Sequence, residues 1–245
     1  CSHCRSGAIN LCQNGFFMGS ASRLPHMQGG FASLFDVAPE QCVIVPATAP
    51  FEAVALAEPL AVCLHALTRA PDLPGARIAV MGCGPIGLLT AMAAHHKGAA
   101  TVHLLDIVPG PLARAAALGF STTLLAAETT ALPDQFDIVF EAAGAPSALT
   151  TALTIVRRGG TVVQIGNIAG GAVPIPINLV MGKEIDLHGS FRFGVTFGEA
   201  VDLIVSGALD VQALISSRHP LDDAAAAFEL ALNRQASMKV MLTNA

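Results

Sequence analysis

Gly82-Cys83-Gly84-Pro85-Ile86-Gly87 stands between an apolar run, Ala76-Arg77-Ile78-Ala79-Val80-Met81, and an apolar stretch of helical character from Leu88 to Lys97. The order strand, glycine-rich turn, helix is the context in which a G-x-G-x-x-G pattern reads as a dinucleotide fingerprint. Gly82 permits the tight turn, Gly84 keeps the backbone free to approach a pyrophosphate, and Gly87 lets the helix pack closely on the strand. The phosphates then meet unpaired N–H groups at a helix end that carries roughly half a positive charge.

The next apolar run, Thr101-Val102-His103-Leu104-Leu105, ends on Asp106, 19 positions beyond Gly87. A carboxylate at that strand end accepts hydrogen bonds from the adenosine ribose hydroxyls and repels the extra phosphate of NADP, so NAD is the expected cofactor. The alternative for Asp106 is a cap on the following helix.

Composition fits a folded cofactor enzyme: 245 residues, 53% hydrophobic and 13% charged, with no Trp and no Tyr. A net charge of -5, with 13 scattered Lys and Arg, lacks the basic stripe that nucleic acid or an anionic membrane requires. Residues 159–182 are free of charge, but Gly159, Gly160, Gly166, Gly170, Gly171, Pro174 and Pro176 interrupt any membrane-spanning helix. The start of the chain shows no basic segment followed by an apolar one, so the expected compartment is the cytoplasm.

Downstream, apolar runs alternate with Ala-rich helical stretches, which predicts an α/β doubly wound parallel sheet. Helices are expected near 111–118 and 147–156, and strands at 122–125, 136–141, 160–166 and 185–191. Ligands bind outside the carboxyl ends of such strands. The candidate cofactor contacts are therefore Gly82, Gly84, Pro85, Ile86, Gly87 and Asp106, together with the turns Ala143-Gly144, Ile165-Gly166-Asn167 and Ser190-Phe191. Residues 1–60 differ in character, being rich in Gly, Pro and Cys with short strand-like runs, and Lys239-Val240-Met241-Leu242 is expected to return and pair with them.

Cys1, Cys4 and Cys12 stand at C-x2-C-x7-C. The first spacing suits zinc, although a structural zinc takes four ligands and His3 is poorly placed beside Cys4. Reduced, unliganded thiols are the alternative, and a disulfide finds no support in signs of export. Cys42, Cys63 and Cys83 read as small buried hydrophobes.

Taken together, these residues resemble the zinc-dependent medium-chain dehydrogenases of the sorbitol dehydrogenase type. The likeness is densest in Phe17-Met18-Gly19-Ser20-Ala21, Pro25-His26 with Gly29-Gly30-Phe31, Ala57-Glu58-Pro59-Leu60-Ala61-Val62, and Gly189-Ser190-Phe191-Arg192-Phe193. It implies that Cys1, Cys4 and Cys12, with Gly7, match the last three thiols of a four-Cys zinc lobe whose first Cys would lie three residues earlier. It further implies a GroES-like, mainly-β catalytic part over 1–60 and 216–245 around a Rossmann domain at 61–215. The implied chemistry is oxidation of a small polyol or sugar acid by NAD with zinc, in a homodimer or homotetramer.

In the family, the Cys, His and Glu that hold the catalytic zinc precede the lobe, so this chain is expected to lack them. Glu58 falls at a family position beside that metal, as a ligand or a partner of its water. Its alternative is a helix-start carboxylate before Pro59. Arg192 resembles the family Arg that reaches toward substrate and Glu58, with an ordinary surface ion pair as its alternative. His65, His95, His96 and His188 read as structural, and His26, in a loop before Gly29-Gly30, is a weak candidate for the zinc lobe. One departure concerns the adenine side: the basic residue usual four or five places after the ribose Asp is replaced by Gly110 and Pro111.

Overall fold

The structure is a computed structural model that describes residues 1–20, 24–124 and 134–244. Its centre is a six-stranded parallel sheet of order β3-β2-β1-β4-β5-β6. The strands are β1 Arg77–Met81, β2 Thr101–Asp106, β3 Ser121–Leu124, β4 Phe136–Glu141, β5 Val156–Gln164 and β6 Asp186–Gly189. Chain order reverses between β1 and β4, the topological switch point of a dinucleotide-binding sheet. The expected strand at 122–125 runs one residue earlier, and position 125 lies outside the described residues, as does position 21.

Strands covered on both faces need apolar residues throughout, which is why Ile78 to Met81 and Leu104-Leu105 are continuous apolar runs with essentially no exposed surface. One face carries α3 Ala57–Leu67, α4 Pro85–His96, α5 Pro109–Ala117 and α8 Phe197–Val205; the other carries α6 Pro146–Ile155 and α7 Ile177–Lys183. Fully burying one Leu, Ile or Val contributes about 1.5–3 kcal/mol, so these two layers are the main source of stability. Thr196 Oγ1 ties the start of α8 to α3 by donating to Ala61 O at 2.8 Å. At the amino ends of the strands Asp137 accepts from Arg77 Nε at 3.1 Å and Arg157 Nε at 2.7 Å, clamping β1, β4 and β5 together.

Outside this unit the structure departs from expectation. Residues 1–50 hold a short helix, α1 Ser2–Arg5, and 3-10 turns, with no strand among the described residues; α2 Phe51–Val54 follows. A strand needs a hydrogen-bonded neighbour, and Lys239-Val240-Met241-Leu242 does not supply one. That segment, in β8 Lys239–Thr243, pairs in parallel with β7 Ile215–Pro220, the two strands being joined through α9 Ala224–Leu232. Positions 60/61 lie within α3 and 215/216 at the start of β7, and Ala53, Leu56 and Ala57 belong to the core under the main sheet. Cys63 and Cys83 are buried as expected, whereas Cys42 is exposed, held on a 3-10 turn where its thiol contacts Ala38 O at 3.8 Å. No described helix is long and apolar enough to cross a membrane.

Candidate functional site

A crevice of about 490 Å³ opens at the carboxyl ends of β1, β2 and β4. Gly82, Gly84, Pro85, Ile86, Asp106 and Ala143 all line it. Gly82 has φ 93°, a conformation open to glycine, and a Cβ there would lie 3.0 Å from the Ala143 backbone. At Gly87 a Cβ would sit 1.8 Å from Gly82 O, so this glycine sets how closely α4 approaches β1. Gly84 is different: a Cβ there would meet nothing within 4 Å, leaving open space directly over the turn. Pro85 begins α4 with no N–H to lose, and the first-turn N–H groups of Ile86 and Gly87 have no partner within the helix. An open cradle, free donors and the positive helix end fit a dinucleotide pyrophosphate.

Asp106 joins the turn to the neighbouring strand end. Its Oδ2 accepts from Cys83 N at 2.6 Å and its Oδ1 from Val108 N at 2.9 Å, just ahead of α5. The second bond goes to the N-cap residue of α5, which has no side-chain cap, so Asp106 braces the turn ahead of the helix without capping it, and it faces the crevice. Burial, with the Asp106 charge adding to it, pushes the Cys83 thiol up to about 12, so this Cys is an inert filler between sheet and helix.

The β4 end is organised by a residue to which the sequence reading gave no role. Glu141 is fully buried; its Oε1 accepts from Ala143 N and Gly144 N, both at 2.9 Å, and its Oε2 from Gln164 Nε2. Burial raises its carboxyl above the ordinary value, opposed by the N–H donors of Gly144 and Ala143. A charged residue closing the apolar run Ile138-Val139-Phe140 was the available signal. The turns after β4 and β5 nest against each other: a Cβ at Gly144 would lie 2.7 Å from Asn167 O, and one at Gly166 only 2.3 Å from Gly144 N. Gly144, Ile165, Gly166 and Asn167 thus back the crevice and do not line it.

Ser190 and Phe191 lie elsewhere. Phe191 lines a second cavity of about 440 Å³ with Asn10, His65 and Arg69, and Asn10 Nδ2 donates to Phe191 O at 2.9 Å. The Arg192 guanidinium stacks 4.1 Å over the Phe17 ring and 4.8 Å over Phe191, and makes no ion pair with Glu58 among the described residues. Glu58 is exposed at the start of α3; nearby bulk raises its carboxyl, and Lys239 opposes the shift.

The thiols do converge. Cys1, Cys4 and Cys12 place their sulfurs within 4.8 Å of one another, and Cys1 Sγ to Cys4 Sγ is 3.7 Å. Zinc–sulfur bonds of about 2.3 Å in a tetrahedron put sulfurs about 3.8 Å apart, so the three thiols fit three of the four corners of a structural zinc site. Among the described residues this is the only such group of three or more; Glu58 is not part of it.

Comparison with known proteins agrees with this geometry. A family model described as zinc-binding dehydrogenase matches residues 85–206. L-idonate 5-dehydrogenase (NAD(P)(+)) of Escherichia coli (strain K12) is 35% identical over 247 residues, covering 99% of this chain and 72% of the relative. Sorbitol dehydrogenase of Bacillus subtilis (strain 168) is 31% identical over 251 residues, covering 99% and 70%. The crystal structure of L-idonate 5-dehydrogenase from Escherichia coli str. K-12 substr. MG1655 superposes with a TM-score of 0.94, at 35% identity, over 99% of this chain and 71% of that one. The six parallel strands, the fingerprint turn at the switch point and this similarity along nearly the whole sequence lead to one conclusion: the chain belongs to the zinc-binding dehydrogenase family.

Proposed function

We propose that the chain is an NAD-dependent zinc dehydrogenase that oxidises a secondary hydroxyl of a sugar acid, taking L-idonate to 5-ketogluconate. The observation that carries the reading is the crevice itself, where an open cradle over Gly84 and the Asp106 carboxylate meet at the switch point. Similarity to an L-idonate 5-dehydrogenase supports the sugar acid, and the sorbitol dehydrogenase relative marks the neighbouring polyol class.

When bound, the nicotinamide supplies a hydride acceptor and zinc a Lewis acid. Ile86 and Gly87 N–H groups bind the pyrophosphate, Asp106 accepts from the adenosine ribose, and the turns held by Glu141 support the nicotinamide end. Cys1, Cys4 and Cys12 hold a structural zinc. The resemblance puts Glu58 and Arg192 on the substrate side; among the described residues Glu58 belongs to no group that could hold a catalytic zinc, so the Lewis acid would need ligands beyond these.

The test is NADH formation by the purified protein with L-idonate, sorbitol, xylitol and threonine in parallel. The expected result is the highest kcat/KM on L-idonate. A preference for another member overturns the substrate and keeps the class. NAD binding with no turnover of any member overturns the dehydrogenase reading and leaves a dinucleotide-binding module.

A further inference from the structure

The crevice has an outer wall that comes from the far end of the chain. After α9, Ser237 Oγ donates to Leu230 O at 2.7 Å and to Asn233 O at 3.2 Å, closing the helix end and turning the chain inward. Ala231, Arg234, Ser237 and Met238 then line the same cavity as Asp106, Ile107 and Pro111. Gln235 fixes this segment on the start of α5: its Oε1 accepts from Gly110 N at 3.0 Å, and its carbonyl accepts from Arg114 Nη2 at 3.2 Å.

Gly110 stands where related enzymes are expected to carry a basic side chain. A Cβ there would lie 2.6 Å from Gln235 Oε1 and 2.9 Å from Gln235 O, so the C-terminal segment occupies the space a side chain would need. The segment brings a cation of its own. Among the described lining residues Asp106 and Arg234 are the only charged ones, and Arg234 is an exposed side chain with no ion pair to any described residue.

We infer that Arg234 is a specificity-determining residue for the cofactor: it faces the adenosine ribose end of the crevice and receives the 2′-phosphate of NADP, so that the chain takes NADP as well as NAD. The inference rests on the reading of the crevice as a dinucleotide site. Asp106 alone would repel a 2′-phosphate, whereas an Arg nearby accommodates one. A guanidinium matches phosphate oxygens in a bidentate fork and keeps its charge at any working pH. The anchoring by Gly110 and Arg114, both on α5 beside Asp106, places Arg234 toward the ribose end and away from the pyrophosphate cradle over Gly84.

The experiment is calorimetric titration of the full chain and of Arg234→Ala and Arg234→Lys with NAD and with NADP. The expected result is that NADP binds the unsubstituted chain, that Arg234→Ala raises the ratio of the NADP to the NAD dissociation constant about tenfold, the size of one charge-assisted contact, and that Arg234→Lys restores part of it. An unchanged ratio overturns the inference, as does equal weakening of both dinucleotides, which would assign Arg234 to the shared pyrophosphate. Binding of NAD alone by the unsubstituted chain also overturns it while leaving the dinucleotide site standing. Failure of both dinucleotides to bind the unsubstituted chain removes the site reading and the inference together.

Discussion

Asp106 has two tasks that a single substitution separates. Its oxygens hold the Cys83 and Val108 N–H groups at 2.6 and 2.9 Å, and the same carboxylate is the only anion among the described lining residues of the crevice. Asp106→Gly removes the ribose acceptor and also leaves Cys83 N without its partner in a partly buried turn, so the fingerprint loosens as the ribose contact is lost. The NAD KM is expected to rise about tenfold or more, since a hydrogen bond to a charged group contributes about 1.5–3 kcal/mol. Asp106→Asn keeps an acceptor for the turn but removes the charge, so it should relax discrimination against NADP with a smaller loss for NAD. Steady-state KM values for both dinucleotides check this; equal effects of the two variants on both cofactors would deny the charge its role. His103 and His65 contribute little charge here at neutral pH, because burial lowers both.

At the level of elements, the two ends of the sheet divide the labour. The carboxyl ends carry the crevice, and the amino ends carry the Asp137 clamp on Arg77 and Arg157. Hydrogen bonds from Arg77 hold the Asp137 carboxyl well below the ordinary carboxylate range, with Arg157 adding to them. A depressed acid stabilises the fold above its unfolded value near 3.8, and that contribution is lost as pH falls through the folded value. Asp137→Ala should therefore destabilise the chain at neutral pH by about 2–3 kcal/mol and flatten the acid limb of its stability profile, with NAD affinity unmoved. Denaturant melts across pH measure the first effect, and an acid limb as steep as before would exclude the clamp.

How much of this was legible depended on sequence distance. The fingerprint turn, Asp106 and the parallel order are local patterns of strand, glycine and helix, and each strand expected from residue 76 to 191 has a counterpart except for the described limit at 125. Glu141 showed in the sequence as a strand end without a stated use, because its partners are backbone N–H groups of a turn. Arg234 lay 128 positions from Asp106, and the bonds of Gln235 to Gly110 and Arg114 decide its place; no periodicity reports such a return.

For the whole molecule, the sheet ends on a strand with one side unpaired among the described residues. Among the described residues β6 is bonded to β5 alone, and around it Leu187, Phe191 and Val195, with Ile177 and Met181 of α7, are exposed apolar residues. An exposed strand edge is a template for pairing, and a second copy brings the same edge, which a two-fold axis pairs with itself. These side chains are 36–82% exposed, so covering them in both copies contributes only the exposed share of about 1.5–3 kcal/mol each, comparable to an association cost of about 4–15 kcal/mol. Light scattering should accordingly give twice the 25.1 kDa chain mass. Leu187→Glu places like charges on either side of the axis and should return the mass to one chain, while NAD affinity measured on the monomer stays within about twofold, because the crevice opens between β1, β2 and β4 and not at this edge. A single-chain mass for the unsubstituted protein, or a dimer that survives Leu187→Glu, would place the contact elsewhere on the surface.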